Sequence, residues 1–238
     1  MQQIYCGIDL SLCSPAVAVR THERIYVYFF QQRQRECNFK YISTELQITS
    51  LPPIPASNPN VNLNISNHER YMYISKNIVS AISEHIVISD TYDNITINIE
   101  DYAFAGRATS GNSYKLQELG GIVKMSLIKE FPGCTLNSIA ISSWKKSVVG
   151  FGHAQKIDIL KYVDTEYSIN LLKLLFFNYN ITPKNVPTPV QDIADVICIA
   201  TAIKIQVPKK TTKKRKRDTI QTTKKKKKNV ASVVKYNK

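Results

Sequence analysis

Gln3-Ile4-Tyr5-Cys6-Gly7-Ile8-Asp9-Leu10-Ser11 opens the chain with an apolar run that ends on a carboxylate, and two further runs, Pro15–Arg20 and Ile25–Phe30, follow at turn-length intervals. All three are rich in Ile, Val, Tyr and Phe, and the gaps between them hold Ser14-Pro15 and Thr21-His22-Glu23-Arg24. That composition belongs to strands joined by short turns, so the segment predicts a three-stranded antiparallel meander. Further on, Ile95, Ile97 and Ile99 alternate with Thr96, Asn98 and Glu100, the period of a strand that again closes on a carboxylate. A helix is expected over Tyr114–Glu130, where Gly120-Gly121 lowers helix stability by about 1 kcal/mol per glycine but allows close backbone approach. Thr135–Ile141 reads as a strand, His153–Val163 and Asn170–Tyr179 as helical stretches, and Val190–Ile205 as a final helix with a buried stripe of Ile193, Val196, Ile197, Ala200 and Ile203. Three strands followed by alternating helices and strands specify an α/β fold with a mixed sheet.

Between these parts, Gln31 to Asn64 is polar and irregular around Leu51-Pro52-Pro53-Ile54-Pro55, and prolines at that density exclude a helix and a central strand. A Pro-rich surface insertion over about residues 31–65 is the expectation. Ser66-Asn67-His68-Glu69 has the form of a capping box, with Met72, Ile78, Val79, Ile82 and Ile86 following at helical spacing. Of the 32 Lys and Arg, 14 lie between Pro208 and Lys238 beside a single acid, Asp218, which leaves 18 bases against 17 acids in residues 1–207. The reading is therefore a nearly neutral folded domain, 1–207, and a disordered polycationic tail, 208–238, whose like charges repel until they meet an anion. With 43% hydrophobic and 21% charged residues the body can bury a core, which excludes a disordered or collagenous chain and a disulfide miniprotein. The five cysteines form no C-x-x-C pair, no apolar run reaches membrane-spanning length, and the N-terminus lacks a secretory pattern. A soluble protein of a reducing intracellular compartment is expected, without a membrane partner.

Four carboxylates stand where structure alone does not ask for them. Asp9 and Glu100 end apolar strands, and Asp192 and Asp195, three apart in Gln191-Asp192-Ile193-Ala194-Asp195, share one helix face. Each has an ordinary reading singly, as a turn residue, a loop start or a charge facing a helix N-terminus. Together they fall at element ends that a sheet can bring to one place. Acids within apolar runs are costly to bury unless a cation pairs with them, and Mg²⁺, held by a few carboxylates and substrate phosphates, is the natural partner.

Trp144-Lys145-Lys146-Ser147-Val148-Val149-Gly150-Phe151-Gly152-His153-Ala154-Gln155-Lys156 resembles the basic motif of the RuvC-type Holliday junction resolvases, a lysine, a G-x-G turn and a second lysine eleven residues after the first. Gly7-Ile8-Asp9, Ile99-Glu100, Leu116-Gln117-Glu118-Leu119-Gly120-Gly121 and Asp192-Ile193-Ala194-Asp195 fall around it in the family's order. The resemblance covers roughly residues 3–205 and is greatest to the phage and large-DNA-virus branch, where the tryptophan-lysine-lysine form is usual. It implies a ribonuclease H-like fold with a mixed five-stranded sheet flanked by helices, a homodimer, and cleavage of branched DNA with Mg²⁺, replaceable by Mn²⁺, at two ions per active site. By the same resemblance Asp9, Glu100, Asp192 and Asp195 are the catalytic, metal-holding acids. Lys145 and Lys156 are the basic residues near the scissile phosphate, with Lys146 and Arg107 as further DNA contacts. The family's base-stacking aromatic lies shortly after the second acid, where Tyr102 and Phe104 compete. The 91 residues between Asp9 and Glu100 exceed the family interval, and the basic tail has no counterpart in it.

The residues support this chemistry independently. Hydrolysing a phosphodiester requires an activated water and charge stabilisation on the attacking and leaving oxygens, and two metals about 4 Å apart supply both. Asp9 would bridge them, with Glu100 on one and Asp192/Asp195 on the other. Lys156 would stabilise charge in the transition state and Lys145 would position the phosphate. His22, His68, His85 and His153 have no metal-ligand spacing, so zinc is not expected, and Trp144 reads as core. Lys-Lys-Arg-Lys-Arg at 213–217 and Lys224–Lys228 read as an arm for nucleic acid or a nuclear import receptor, placing the protein in the nucleus or at a cytoplasmic site of DNA replication. Three rivals remain at this level. An actin- or sugar-kinase-like ATP-binding protein needs a second Gly-rich loop that 8 glycines barely allow. The others are a catalytically inert DNA-binding protein of the same fold, and a nuclease that prefers flaps or other branched DNA.

Overall fold

The structure is a computed structural model, and it describes residues 2–31, 39–56, 63–87, 92–101, 111–175 and 186–202. These fall within one compact unit, Met1–Ile205. The meander forms as expected from β1 (Ile4–Asp9), β2 (Ala16–Arg20) and β3 (Ile25–Phe30), each antiparallel to the one before. Then β6 (Ile95–Glu100) adds parallel to β1, and β7 (Thr135–Ile139) adds parallel to β6. These five strands are the expected mixed sheet, with helices on both faces.

The sheet has seven strands, not five. β4 (Lys40–Ile42) and β5 (Leu46–Leu51) extend it beyond β3 in the order β4-β5-β3-β2-β1-β6-β7, with β5 parallel to β3. Both arise inside the stretch read as irregular. Leu46 and Ile48 are buried and alternate with Gln47 and Thr49, so that short run carries a strand's period of two. The prolines begin at Pro52, directly after β5, and so exclude strand only from there onward.

On one face lie α1 (Leu63–Ser83) and α2 (Gly111–Glu130). They pack Tyr71, Ile74, Ile78, Ile82, Leu119, Val123 and Leu127 against Cys6, Ile8, Val17, Val19, Ile97 and Ile99. The helix starts before Ser66, so the Ser66–Glu69 pattern lies inside α1 and does not cap it. Met72, expected in the stripe, is 57% exposed, because the buried row runs through Tyr71, Ile74 and Ile78 instead. On the other face lie α3 (Ile141–Val149), α4 (Lys156–Glu166), α5 (Leu171–Leu175) and α6 (Thr188–Thr201), around a second core that includes Ala16, Ala18, Val27, Trp144, Leu160, Ile193 and Ile197. α3 was not anticipated as a helix. It ends at Gly150, which takes the left-handed conformation (φ 95°) that closes helices, and whose N–H donates to the Lys146 carbonyl. Among the described residues no helix is long and apolar enough to cross a membrane.

Candidate active site

Neighbouring parallel strands set the first two acids side by side. Ile8 pairs with Ile99 in the β1–β6 register, so Asp9 and Glu100 follow at the same sheet level. Side chains two apart share a face. Gly7 and Asn98, also register partners, therefore tell which face Asp9 and Glu100 take. It is the face of α6. A Cβ at position 7 would overlap the Val196 carbonyl and the Ala200 nitrogen, so only glycine lets α6 lie directly on β1. Asn98 fixes the same helix from β6, its Nδ2 donating to the carbonyls of Ile199 and Ala202 at 3.2 Å each, while its Oδ1 accepts from Asn137 Nδ2 at 3.2 Å.

Asp192 lies four residues before Val196 and Asp195 four before Ile199, so both acids share the helix face that meets the sheet. They are 8% and 9% exposed, unusual for carboxylates in a helix as apolar as α6. Gln191 Nε2 donates to Asp195 Oδ2 at 3.2 Å. Ser14 lowers the pKa of the Asp192 carboxyl, yet Asp192 Oδ2 is buried with no partner. A buried acceptor left bare costs about 1–3 kcal/mol, and more for a charged group.

Burial and the charge of Asp9 act on each of the other three acids. Burial pushes Asp9 up to about 6. Burial, then the charges of Asp9 and Asp195, push Glu100 up to about 8. Burial and Asp9 do the same to Asp192, to about 8, with a smaller contribution from Asp195. Asp195 is raised to about 7 by burial and Asp9. Asp9 thus acts on all three others. The opposing cations are those expected from sequence: Lys145 offsets the charge at Glu100 and Asp195, and Lys156 at Asp192 and Asp195.

Lys145 lies on α3, its Nζ donating to the Ala154 carbonyl at 2.9 Å and standing 5.6 Å from the centre of the Trp144 ring. Lys156 is the first residue of α4, held at that end by Asp158 Oδ2, which accepts the Gln155 N–H at 2.8 Å. Lys146 is exposed on α3 and is not among the groups acting on the acids. Tyr102, Phe104 and Arg107 lie outside the described residues, as does the basic tail. Sequence reasoning missed the supporting hydrogen bonds. Trp144, buried as expected, donates its Nε1–H to Glu100 Oε2 at 2.9 Å. Gln191 was legible as an i, i+4 partner of Asp195, whereas nothing local marks Ser14 or Asn98.

The donor set suits a hard divalent cation: four carboxylates coupled through Asp9, one with a bare buried oxygen, and no nitrogen or sulfur ligand among them. Among the described residues no group of three or more His, Cys, Asp and Glu is already drawn together at metal-holding geometry.

No protein-family model matches the chain, and no curated protein is significantly similar to it in sequence. Among solved structures it is similar to Thermus thermophilus RuvC, at 15% identity over 84% of this chain and 92% of that one, with a TM-score of 0.48. It is similar also to T. thermophilus RuvC in complex with Holliday junction substrate, at 13% identity, coverages of 84% and 91% and a TM-score of 0.49. A third is the yeast mitochondrial Holliday junction resolvase Ydc2, at 12% identity, coverages of 83% and 75% and a TM-score of 0.46.

Proposed function

We propose that this chain is a Mg²⁺-dependent endodeoxyribonuclease that resolves four-way DNA junctions, acting as a homodimer that nicks opposite strands symmetrically. One observation carries the reading: Asp9 acts on Glu100, Asp192 and Asp195, acids drawn from two adjacent strand ends and one helix, at a site where Lys145 and Lys156 offset their charge. An inert scaffold gains nothing from four buried, mutually repelling acids. Bound Mg²⁺ would activate the attacking water and stabilise the leaving oxygen. The chain's own part is to supply ligand oxygens from Asp9, Glu100, Asp192 and Asp195 and to hold the phosphate with Lys145. Lys156, exposed at the start of α4, would meet the charge that develops on the phosphate in the transition state.

Two nicks related by a two-fold axis call for two such sites, which a symmetric dimer supplies. The outer side of α2 offers a surface for it: Tyr114, Met125 and Ile128 are exposed, and Gly121 between them has open space where a side chain would stand. The lysine-rich segment 208–238 would add phosphate affinity that falls steeply with salt. The deciding experiment compares cleavage of a mobile four-way junction, a three-way junction, a flap and a linear duplex with Mg²⁺, mapping nicks on each strand. Symmetric nicks confined to the four-way junction are expected. Equal cutting of flap and linear DNA would replace this reading with a structure-tolerant nuclease.

A further inference from the structure

Trp144 is the only tryptophan of the chain and is 1% exposed. Packing alone would be served by any large apolar side chain at this place on α3. The indole differs in carrying an N–H that donates and cannot accept. That N–H is spent on one oxygen of a proposed metal-holding carboxylate, Glu100 Oε2 at 2.9 Å. The Lys145 ammonium lies within cation–π range of the indole, 5.6 Å from the ring centre, and is itself anchored on the Ala154 carbonyl. Trp144 thus touches both Glu100, at the end of β6, and Lys145 of the basic motif. Residues that hold a ligand's second atom decide which atom is offered to the metal and in what direction.

We propose that Trp144 is a positioning residue for the site: it commits Glu100 Oε2 to the indole, leaves Oε1 as the oxygen offered to a divalent cation, and thereby makes its own emission a reporter of that cation. This deepens the function proposed above and rests on it for the identity of the ligand set. It is independent of which DNA, if any, is cut.

The test has two arms on the full chain. In the first, Mg²⁺ alone is titrated without DNA while tryptophan emission is followed, in the unaltered protein and in Glu100→Ala. A saturable change in the unaltered protein that is absent from Glu100→Ala is expected. No response up to tens of millimolar Mg²⁺, or the same response in both, overturns the proposal. In the second arm, Trp144→Phe keeps an aromatic ring and removes the donor. It should raise the Mg²⁺ concentration for half-maximal cleavage about 10-fold, with rate recovered at high Mg²⁺. A loss of rate equal at every Mg²⁺ concentration marks packing only and overturns it. If Trp144→Phe fails to fold, the emission arm decides alone. Absence of junction cleavage with the emission response intact would sink the proposed function and leave this inference standing.

Discussion

The two faces of the same strands are built to opposite ends. On one, Cys6, Ile8, Ile97 and Ile99 meet α1 and α2 in a buried apolar layer. On the other, the residues between and after them, Gly7, Asp9, Asn98 and Glu100, meet α6 through a backbone contact, two hydrogen bonds and four repelling carboxylates. The first face gains stability by burying apolar area, roughly 25 cal/mol per Å². The second spends stability to keep acids together out of water. A protein can carry such a face only because the other one supports the sheet.

The largest expected effect tests that division directly. Asp9→Asn or Glu100→Gln should lower Mg²⁺-dependent cleavage by about 10²–10³-fold or more while leaving the thermal midpoint unchanged or higher. Cleavage at the unaltered rate would remove the acids from the chemistry. Next in size, Ile97→Ala, on the apolar face, should cost about 2–5 kcal/mol in denaturant unfolding and leave the Mg²⁺ dependence of the remaining folded protein as it was. A shift in Mg²⁺ dependence would mean that the two faces are coupled more tightly than their separate cores indicate.

Gly7→Ala probes the join itself. Its methyl group has no room beneath α6, so a loss of about 1–3 kcal/mol is expected, with cleavage reduced in the folded fraction because Asp192 and Asp195 move with the helix. Cleavage at the unaltered rate in the folded fraction would show that the acids tolerate a shifted helix. The last test is the pH dependence. Asp9, Asp195, Glu100 and Asp192 are raised from ordinary values of 3.8 to 4.5 to between about 6 and about 8. The folded chain therefore holds more protons than the unfolded one in that window, and stability falls as pH rises from about 4 to about 8. Asp192→Asn should flatten the fall and raise the midpoint at pH 8, by about 2–4 °C for each kcal/mol relieved. Mg²⁺ should do the same in the unaltered chain by binding only the folded state. A midpoint that rises with pH in metal-free buffer would contradict the burial of these acids.

The acids were legible because each interrupts a pattern that periodicity makes regular: Asp9 and Glu100 close apolar strands, and Asp192 and Asp195 break an apolar helix. The two lysines were legible from their spacing in a motif. What the sequence hid was whatever depends on two distant segments meeting. Asn98 looks like one more polar residue of an alternating strand until α6 lies over it, and Gly7 like an ordinary strand glycine. Trp144 was rightly placed in the core, but burial gives no hint that its N–H finds a carboxylate 44 residues earlier in the chain. The strands β4 and β5 were hidden for a different reason, since the prolines that follow them dominated the reading of the whole stretch.

The way α6 is seated has a practical consequence for anyone seeking the natural substrate. The helix is fixed through Val196, Ile199, Ala200 and Ala202, all on the C-terminal side of its two acids. Asp192 and Asp195 can therefore be neutralised together without disturbing that anchor, and doing so relieves repulsion. If the proposed function holds, the doubly substituted chain would be the natural reagent for trapping: a folded protein with its lysines in place that grips a nucleic acid without cutting it, from which the captured structure could be recovered whole.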